Sequence, residues 1–280
     1  MKGSIEGGTP YRGDGPLQGQ EVLRIDNLTV LLHTKKGTVK AVDRVSLKVR
    51  RGETLGVVGE SSAGKSAIAY SILGLLHHLG IEEEGDGPVR GEVVEGEIWF
   101  DGRNLLDLSE EELMRIRGRE ISIIFQRPIP SLTPIEYPSP RKTSAKALGD
   151  EVEALITEAL GPIEFPDTYE KYFYHPLHFG DDREQRRRIA AALLSNPSLL
   201  IADEPTFQMR TTVQRRVLEL FKELKERISL TTLLLTQNLG IAAELSDNVA
   251  VMYCGRIVEA GDVYTIFKKP RHPYTRGLLA

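Results

Sequence analysis

The segment 59–66, Gly-Glu-Ser-Ser-Ala-Gly-Lys-Ser, restricts the fold of this chain more than any other stretch. Two glycines with four residues between them, followed by Lys-Ser, have the spacing of a phosphate-binding loop. Such a loop works only between a strand and a helix, and both flanks are present. Thr54–Val58 is a short β-rich run, and Lys65–Leu76 repeats apolar residues at helical spacing. Gly59 and Gly64 let the backbone curl so that its N–H groups face inward at a helix N-terminus, where phosphate oxygens bind. The expected contact residues are Gly59, Glu60, Ser61, Ser62, Ala63, Gly64, Lys65, Ser66 and Ala67. Lys65 is expected to reach the β- and γ-phosphates, and Ser66 to place its hydroxyl on Mg²⁺. The alternative, a chance Gly/Ser-rich loop, does not account for the strand and helix on either side.

A second constellation supports the first. Leu199–Ala202 is a short apolar strand that delivers Asp203 and Glu204 at its C-terminal end. Asp203 suits Mg²⁺, directly or through water. Glu204 suits orienting or deprotonating an attacking water. Acidic residues at strand ends are common, so the pair alone specifies little. Behind a P-loop it points to phosphate hydrolysis.

Residues 1–20 carry six glycines and two prolines, bury little, and read as a flexible N-terminal tail. Residues 21–280 read as a single domain. Val22–Leu32 suggests a strand, and Val45, Leu47 and Val49 alternate with polar residues as a second. Ile98–Phe100 with Asp101-Gly102 suggests a hairpin, and Ser109 with Glu112 a capping box. Ile121–Phe125 reads as a buried strand. Five prolines at 128, 130, 134, 138 and 140 mark a loop, and Leu148–Leu160 and Glu184–Leu194 read as helices. Val213–Ile228 places Val217, Leu218, Phe221 and Leu224 on one helical face, and Leu230–Leu235 and Val249–Tyr253 are β-rich. This alternation predicts a mainly parallel sheet with helices on its faces.

Composition narrows the function. The chain is 40% hydrophobic and 27% charged, as soluble globular proteins are. Its 36 basic and 40 acidic residues leave a net charge of -4, which gives no electrostatic case for nucleic acid as a partner. No apolar run is long enough to span a bilayer, and the N-terminus lacks the apolar stretch of a secretory signal. A membrane role therefore needs docking onto a chain that does span. The one cysteine, Cys254, excludes an internal disulfide and suits a cytosolic setting. It is expected to be a small buried residue.

With these marks the chain resembles the ATP-binding subunits of oligopeptide and dipeptide importers in the ABC transporter family. The resemblance runs from about Glu21 to Ala280. It rests on Val39–Asp43, Gly52–Gly56, the P-loop, Gly118–Ile121, Phe125-Gln126, Ser131-Leu132, Leu199–Pro205, Val251–Tyr253, Gly255–Val258 and Arg271–Arg276. The last of these is especially typical of the peptide branch. The resemblance implies an α/β fold, an ABC-type P-loop NTPase core with an antiparallel β lobe and a helical subdomain inserted at about 127–190. It implies ATP and Mg²⁺ as cofactors, with Ser66, Gln126 and Asp203 around the metal. Gln126 would sense Mg²⁺ and the attacking water and link them to the helical lobe. Glu204 and Gln237 would complete the catalytic set. A dimer is implied, each ATP lying between one chain's P-loop and the other's signature loop. Transmembrane permease subunits are the further partners, and the implied location is peripheral, on the cytoplasmic face of the cell membrane.

Four departures from the family pattern bear on turnover. The Leu-Ser-Gly-Gly signature is replaced by Phe179-Gly180-Asp181-Asp182. One like-charge pair at ~4 Å costs about 4 kcal/mol at an effective dielectric near 20, more than the ~0.3–1 kcal/mol that a helix terminus offers an anion. Asp181 with Glu184 can instead cap its own helix. An Arg183-neutralised or Mg²⁺-bridged phosphate contact is the other reading. Gln237 stands where the family has a switch histidine; it can donate a hydrogen bond but cannot carry that proton. Arg210 and Arg127 replace acids. Leu32 and His33 align with the aromatic that stacks on adenine, and His33 reads either as that stacking group or as a surface histidine. The chain also stops soon after Arg276, where many peptide-importer subunits run on into a cysteine-bearing tail.

These features together point to Mg-ATP binding with hydrolysis that is weak or dependent on a partner, in the weaker half of a heterodimer with a second ABC ATP-binding subunit. The alternative is an ABC-type, nucleotide-dependent interaction module without a transport role. A P-loop kinase fits less well, because Asp203, Glu204 and the proline-rich loop suit hydrolysis coupled to motion.

Overall fold

The computed structural model describes residues 20–78, 90–126, 156–157, 160, 182–207 and 209–280. Two sheets organise them. β1 (Glu21–Thr34), β2 (Gly37–Arg50), β4 (Arg90–Phe100) and β5 (Arg103–Asn104) form an antiparallel sheet in the order β2-β1-β4-β5. A six-stranded sheet runs β10-β9-β3-β8-β7-β6. It comprises β3 (Thr54–Val58), β6 (Ile121–Ile124), β7 (Leu199–Asp203), β8 (Thr232–Thr236), β9 (Asn248–Tyr253) and β10 (Arg256–Asp262). All but β10 are parallel.

The sequence pattern explains both sheets. On β2, Val45, Leu47 and Val49 are buried and the residues between them exposed, as a one-faced sheet requires. β3, β7 and β8 are buried at every position. Leu199, Ile201, Leu233 and Leu235 face a core shared with the antiparallel lobe and α1 (Lys65–Ile72). Leu200, Ala202 and Leu234 face the opposite way, against α3 (Asp182–Leu194), α4 (Thr211–Ile228) and α5 (Leu239–Leu245). Both faces are covered, so these strands read as unbroken apolar runs. On α4 the buried residues include Val217, Leu218, Phe221 and Leu224, the predicted face. α2 (Glu110–Ile116) opens with the predicted capping box: the Ser109 hydroxyl accepts the Glu112 N–H, and the Glu112 carboxylate accepts the Ser109 N–H at 2.8 Å.

Three expectations change. The helix after the P-loop ends at Ile72 rather than Leu76, because Gly74 sits at φ 64 and closes it. Its N–H bonds Ser71 O at 3.1 Å while Leu75 N–H bonds Tyr70 O at 2.8 Å, which satisfies the last carbonyls. Cys254 is exposed, not buried: it lies in the two-residue turn between β9 and β10, at φ 45. The helix expected from Glu184 starts at Asp182. The tail at 1–20, the proline-rich loop, Arg127 and Asp181 fall outside the described residues, apart from Gln20. So does most of the segment expected to form the inserted helical subdomain; of Leu148–Leu160, residues 156, 157 and 160 are described and helical.

Candidate functional site

Four neighbouring parallel strands end on one edge of the six-stranded sheet. Val58 pairs with Thr236, Leu235 with Asp203, and Ala202 with Ile124. Gly59, Gln237, Glu204 and Gln126 follow those ends, so residues scattered over the sequence share the edge where ligands of open α/β sheets bind. Gln126 follows β6 and Phe125, whose ring stacks on Tyr70 of α1 at 5.8 Å.

The loop is shaped by contacts that exclude side chains. At Gly59 a Cβ would lie 2.2 Å from Met252 O, and at Gly64, φ 107, 2.0 Å from Ala41 O. Gly64 is the N-cap of α1, and no side chain caps that end. Its first N–H groups have no partner inside the helix. Glu60, Ser61 and Ser62 are exposed, while Ala63, Lys65 and Ala67 are buried. Lys65 is 6% exposed, and its Nζ donates to Gly59 O and Glu60 O, both at 2.8 Å. Burial pulls its pKa down, against the opposing pull of Glu204 and Asp203.

Asp203 is 2% exposed, and its carboxyl is pushed up to about 6. Burial is the main cause. The Ser66 hydroxyl and the Lys65 charge pull the other way, and the Glu204 charge adds to the rise. A serine oxygen and a carboxylate are hard donors of the kind Mg²⁺ takes. Among the described residues no group of three or more His, Cys, Asp or Glu is placed to hold a metal. The pair fits a cation that brings its own waters and phosphate oxygens rather than one held in a protein cage.

Glu204 turns the chain at φ 47 and is fixed at both oxygens. One accepts the Thr236 hydroxyl at 2.8 Å and the other the Gln237 N–H at 2.6 Å. The Gln237 side chain is exposed, and its contribution here is main-chain. Asn238 caps α5 by accepting from Gly240 and Ile241 N–H. Thr236 has no counterpart among the sequence-derived candidates. The signal was a polar residue closing an apolar strand, which acquires meaning only once β8 lies between β3 and β7.

Two candidates lie elsewhere. Arg210 is the exposed N-cap of α4 and makes no side-chain cap bond. His33 has both ring nitrogens engaged, with Thr38 Oγ1 at 3.0 Å and Glu92 Oε1 at 2.9 Å, as a surface histidine would.

The strand order, the loop at a helix start and the carboxylates two strands away define a P-loop domain of the NTPase type. The ABC transporter family model matches residues 42–207, and the chain belongs to that family. Over 267 residues it is 40% identical to the dipeptide transport ATP-binding protein DppD of Lactococcus lactis subsp. cremoris, covering 93% of this chain and 73% of the relative. It is 38% identical to the oligopeptide transport ATP-binding protein OppD of Bacillus subtilis, covering 92% and 71%. The fold is similar to that of the ATP-binding cassette MJ0796, solved as a dimer in a post-hydrolysis state bound to ADP and Pi. The TM-score is 0.61 at 22% identity, over 86% of this chain and 98% of that one. Among the described residues no helix is long and apolar enough to cross a membrane.

Proposed function

We propose that this chain is the ATP-binding subunit of a peptide-type ABC transporter, a peripheral protein on the cytoplasmic face of the membrane that works with transmembrane permease subunits. The observation that carries the reading is the convergence of four strand ends on one edge, which brings the phosphate loop, the buried Asp203 and the doubly held Glu204 together. The names of its relatives supply the peptide branch. In this reading the loop 59–67 takes the phosphates, with Lys65 on the β- and γ-phosphates. Ser66, Asp203 and Gln126 would hold Mg²⁺, which supplies charge neutralisation at the phosphates when bound. Glu204, held in one orientation, would orient or deprotonate the attacking water. Residues 127–190 would form the helical subdomain.

The chain would be the weaker half of a heterodimer with a second ABC ATP-binding subunit. Asp181 and Asp182 would oppose a partner's nucleotide by charge, Arg210 stands where the family has an acid, and Gln237 cannot shuttle the proton of a histidine. Its own site keeps the P-loop and both carboxylates, so ATP turnover there would depend on the partner's signature loop.

The test is an ATPase assay of the chain with and without its partner cassette, alongside Glu204→Gln. We expect low turnover alone, more in the complex, and at least about a hundredfold loss on Glu204→Gln with Mg-ATP still bound, on the order of a general base's contribution. Unchanged turnover of the complex would show that hydrolysis takes place at another site. Rapid turnover by this chain as a homodimer would contradict the weaker-half assignment.

A further inference from the structure

Residues 271–276, Arg-His-Pro-Tyr-Thr-Arg, lie far from the phosphate loop in sequence and have no role in the site described above. They reach it nonetheless. α6 (Pro273–Leu279) begins after His272, whose Nδ1 accepts the Tyr274 N–H at 3.2 Å. The segment is pinned to β10 by Glu259, whose carboxylate accepts the N–H groups of Arg271 at 2.7 Å and His272 at 3.0 Å. Arg276 closes it by donating to Pro270 O at 3.0 Å. The Tyr274 ring packs on an apolar cluster that includes Val58, Val249, Val251 and Ile266. It lies 4.3 Å from the Tyr253 ring, at 36° to it. From that fixed position the Tyr274 hydroxyl accepts the Glu60 N–H at 3.3 Å.

We propose that Tyr274 is a positioning residue for the phosphate loop, through which the C-terminal helix sets the loop's shape and hence its affinity for nucleotide. The loop has a second fixed point in the same region: Gly255, in the β9–β10 turn, donates its N–H to Ala63 O at 2.9 Å. Position 60 is thus held by α6 and position 63 by the turn, and the exposed Ser61 and Ser62 lie between them. A tyrosine suits the task. Its ring is locked by packing, and its oxygen can accept a main-chain N–H while keeping its own proton to donate. Fixing Glu60 removes loop conformations that do not match the phosphates. Affinity gained in this way comes from preorganisation and needs no contact with the ligand.

The inference rests on nucleotide binding at residues 59–66, and the experiment separates the two. Tyr274→Phe in the full chain keeps the ring and removes the hydroxyl. Binding of N-methylanthraniloyl-ADP is expected to weaken about 3- to 10-fold, the worth of one ordinary hydrogen bond. Tm should stay within about 2 °C of wild type. Hydrogen exchange in a peptide covering 55–66 should speed up, while one covering 232–236 should not change. Ile266→Val trims the same apolar cluster and should lower Tm without altering nucleotide affinity. An unchanged affinity in Tyr274→Phe overturns the inference, whatever exchange does. Equal weakening by Ile266→Val also overturns it, because Tyr274 would then be a packing residue only. If wild type does not bind the analogue, or Lys65→Ala binds it equally well, the nucleotide reading itself fails.

Discussion

Glu204 and Thr236 share a hydrogen bond of 2.8 Å between two buried side chains at the ends of neighbouring parallel strands. The Thr236 hydroxyl also accepts the Asn238 N–H at 3.0 Å, so it is locked from the other side. Thr236→Val keeps the shape and leaves the carboxylate one donor short. The expected loss is about 1.5–3 kcal/mol of stability, as for hydrogen bonds to charged groups. Turnover in the complex should fall on the order of tenfold through misorientation of the carboxylate, with Mg-ATP affinity changed less than about twofold. Single-turnover kinetics and equilibrium binding on the same preparation check both.

Asp203 gives a pH dependence of unusual sign. Its carboxyl titrates at about 6 in the folded chain against 3.8 as the ordinary value, chiefly through burial. Between those values the folded chain binds more protons than the unfolded one. Its contribution to stability therefore falls as pH rises through the window and stays low above it. In metal-free, nucleotide-free protein, Asp203→Asn should be more stable than wild type at pH 7.5 by about 1–3 kcal/mol. The gain should shrink toward zero near pH 4. Urea denaturation in EDTA at several pH values reads this directly.

Asp43 is expected to behave the opposite way. Its carboxylate accepts Arg256 Nε at 2.6 Å and lies within ion-pair distance of Lys40 and Arg44. The Arg256 hydrogen bond is the largest cause of its lowered pKa. A depressed acid contributes stability above its unfolded pKa and loses it as pH falls through its folded value. Asp43→Asn should therefore lower Tm at pH 7, and the difference should vanish below the ordinary carboxylate range. A thermal-shift series across pH is sufficient.

Gly64→Ala should be far more harmful than Gly102→Ala, although both glycines have positive φ. At Gly64, φ 107, the new Cβ meets Ala41 O at 2.0 Å and Met252 Cε at 2.8 Å, whereas at Gly102, φ 79, nothing lies within 4 Å. Gly102→Ala should cost about 1 kcal/mol from backbone conformation alone. Gly64→Ala should cost at least about 2 kcal/mol more, as overpacking against rigid backbone does, and should abolish nucleotide binding. Chemical denaturation and a binding assay compare them.

Features carried by a few adjacent residues could be read from the sequence. The P-loop between its strand and helix, the Ser109–Glu112 capping box, the apolar face of α4 and the delivery of Asp203 and Glu204 by a buried strand are local patterns, and the structure has all of them. What could not be read depends on strand order. Thr236 matters because β8 lies between β3 and β7, and no pattern within 232–236 encodes that neighbour. Tyr274 meets Glu60 across 214 positions of sequence. The burial expected of Cys254 fails for a related reason: residue type favours burial, but residue 254 falls in the exposed β9–β10 turn. The end of α1 was legible in principle, since a glycine after a helical run is the usual stop, and the apolar Leu75-Leu76 pair masked it.

What Glu204 takes from position 237 is a main-chain N–H, at 2.6 Å, while the Gln237 side chain lies in solvent. Every residue except proline offers that N–H. The side chain at this position can therefore change without disturbing the carboxylate two strands away from the phosphate loop. The side chain at 237 and the hold on the Glu204 carboxylate are separable features of this scaffold, and one can change while the other stays.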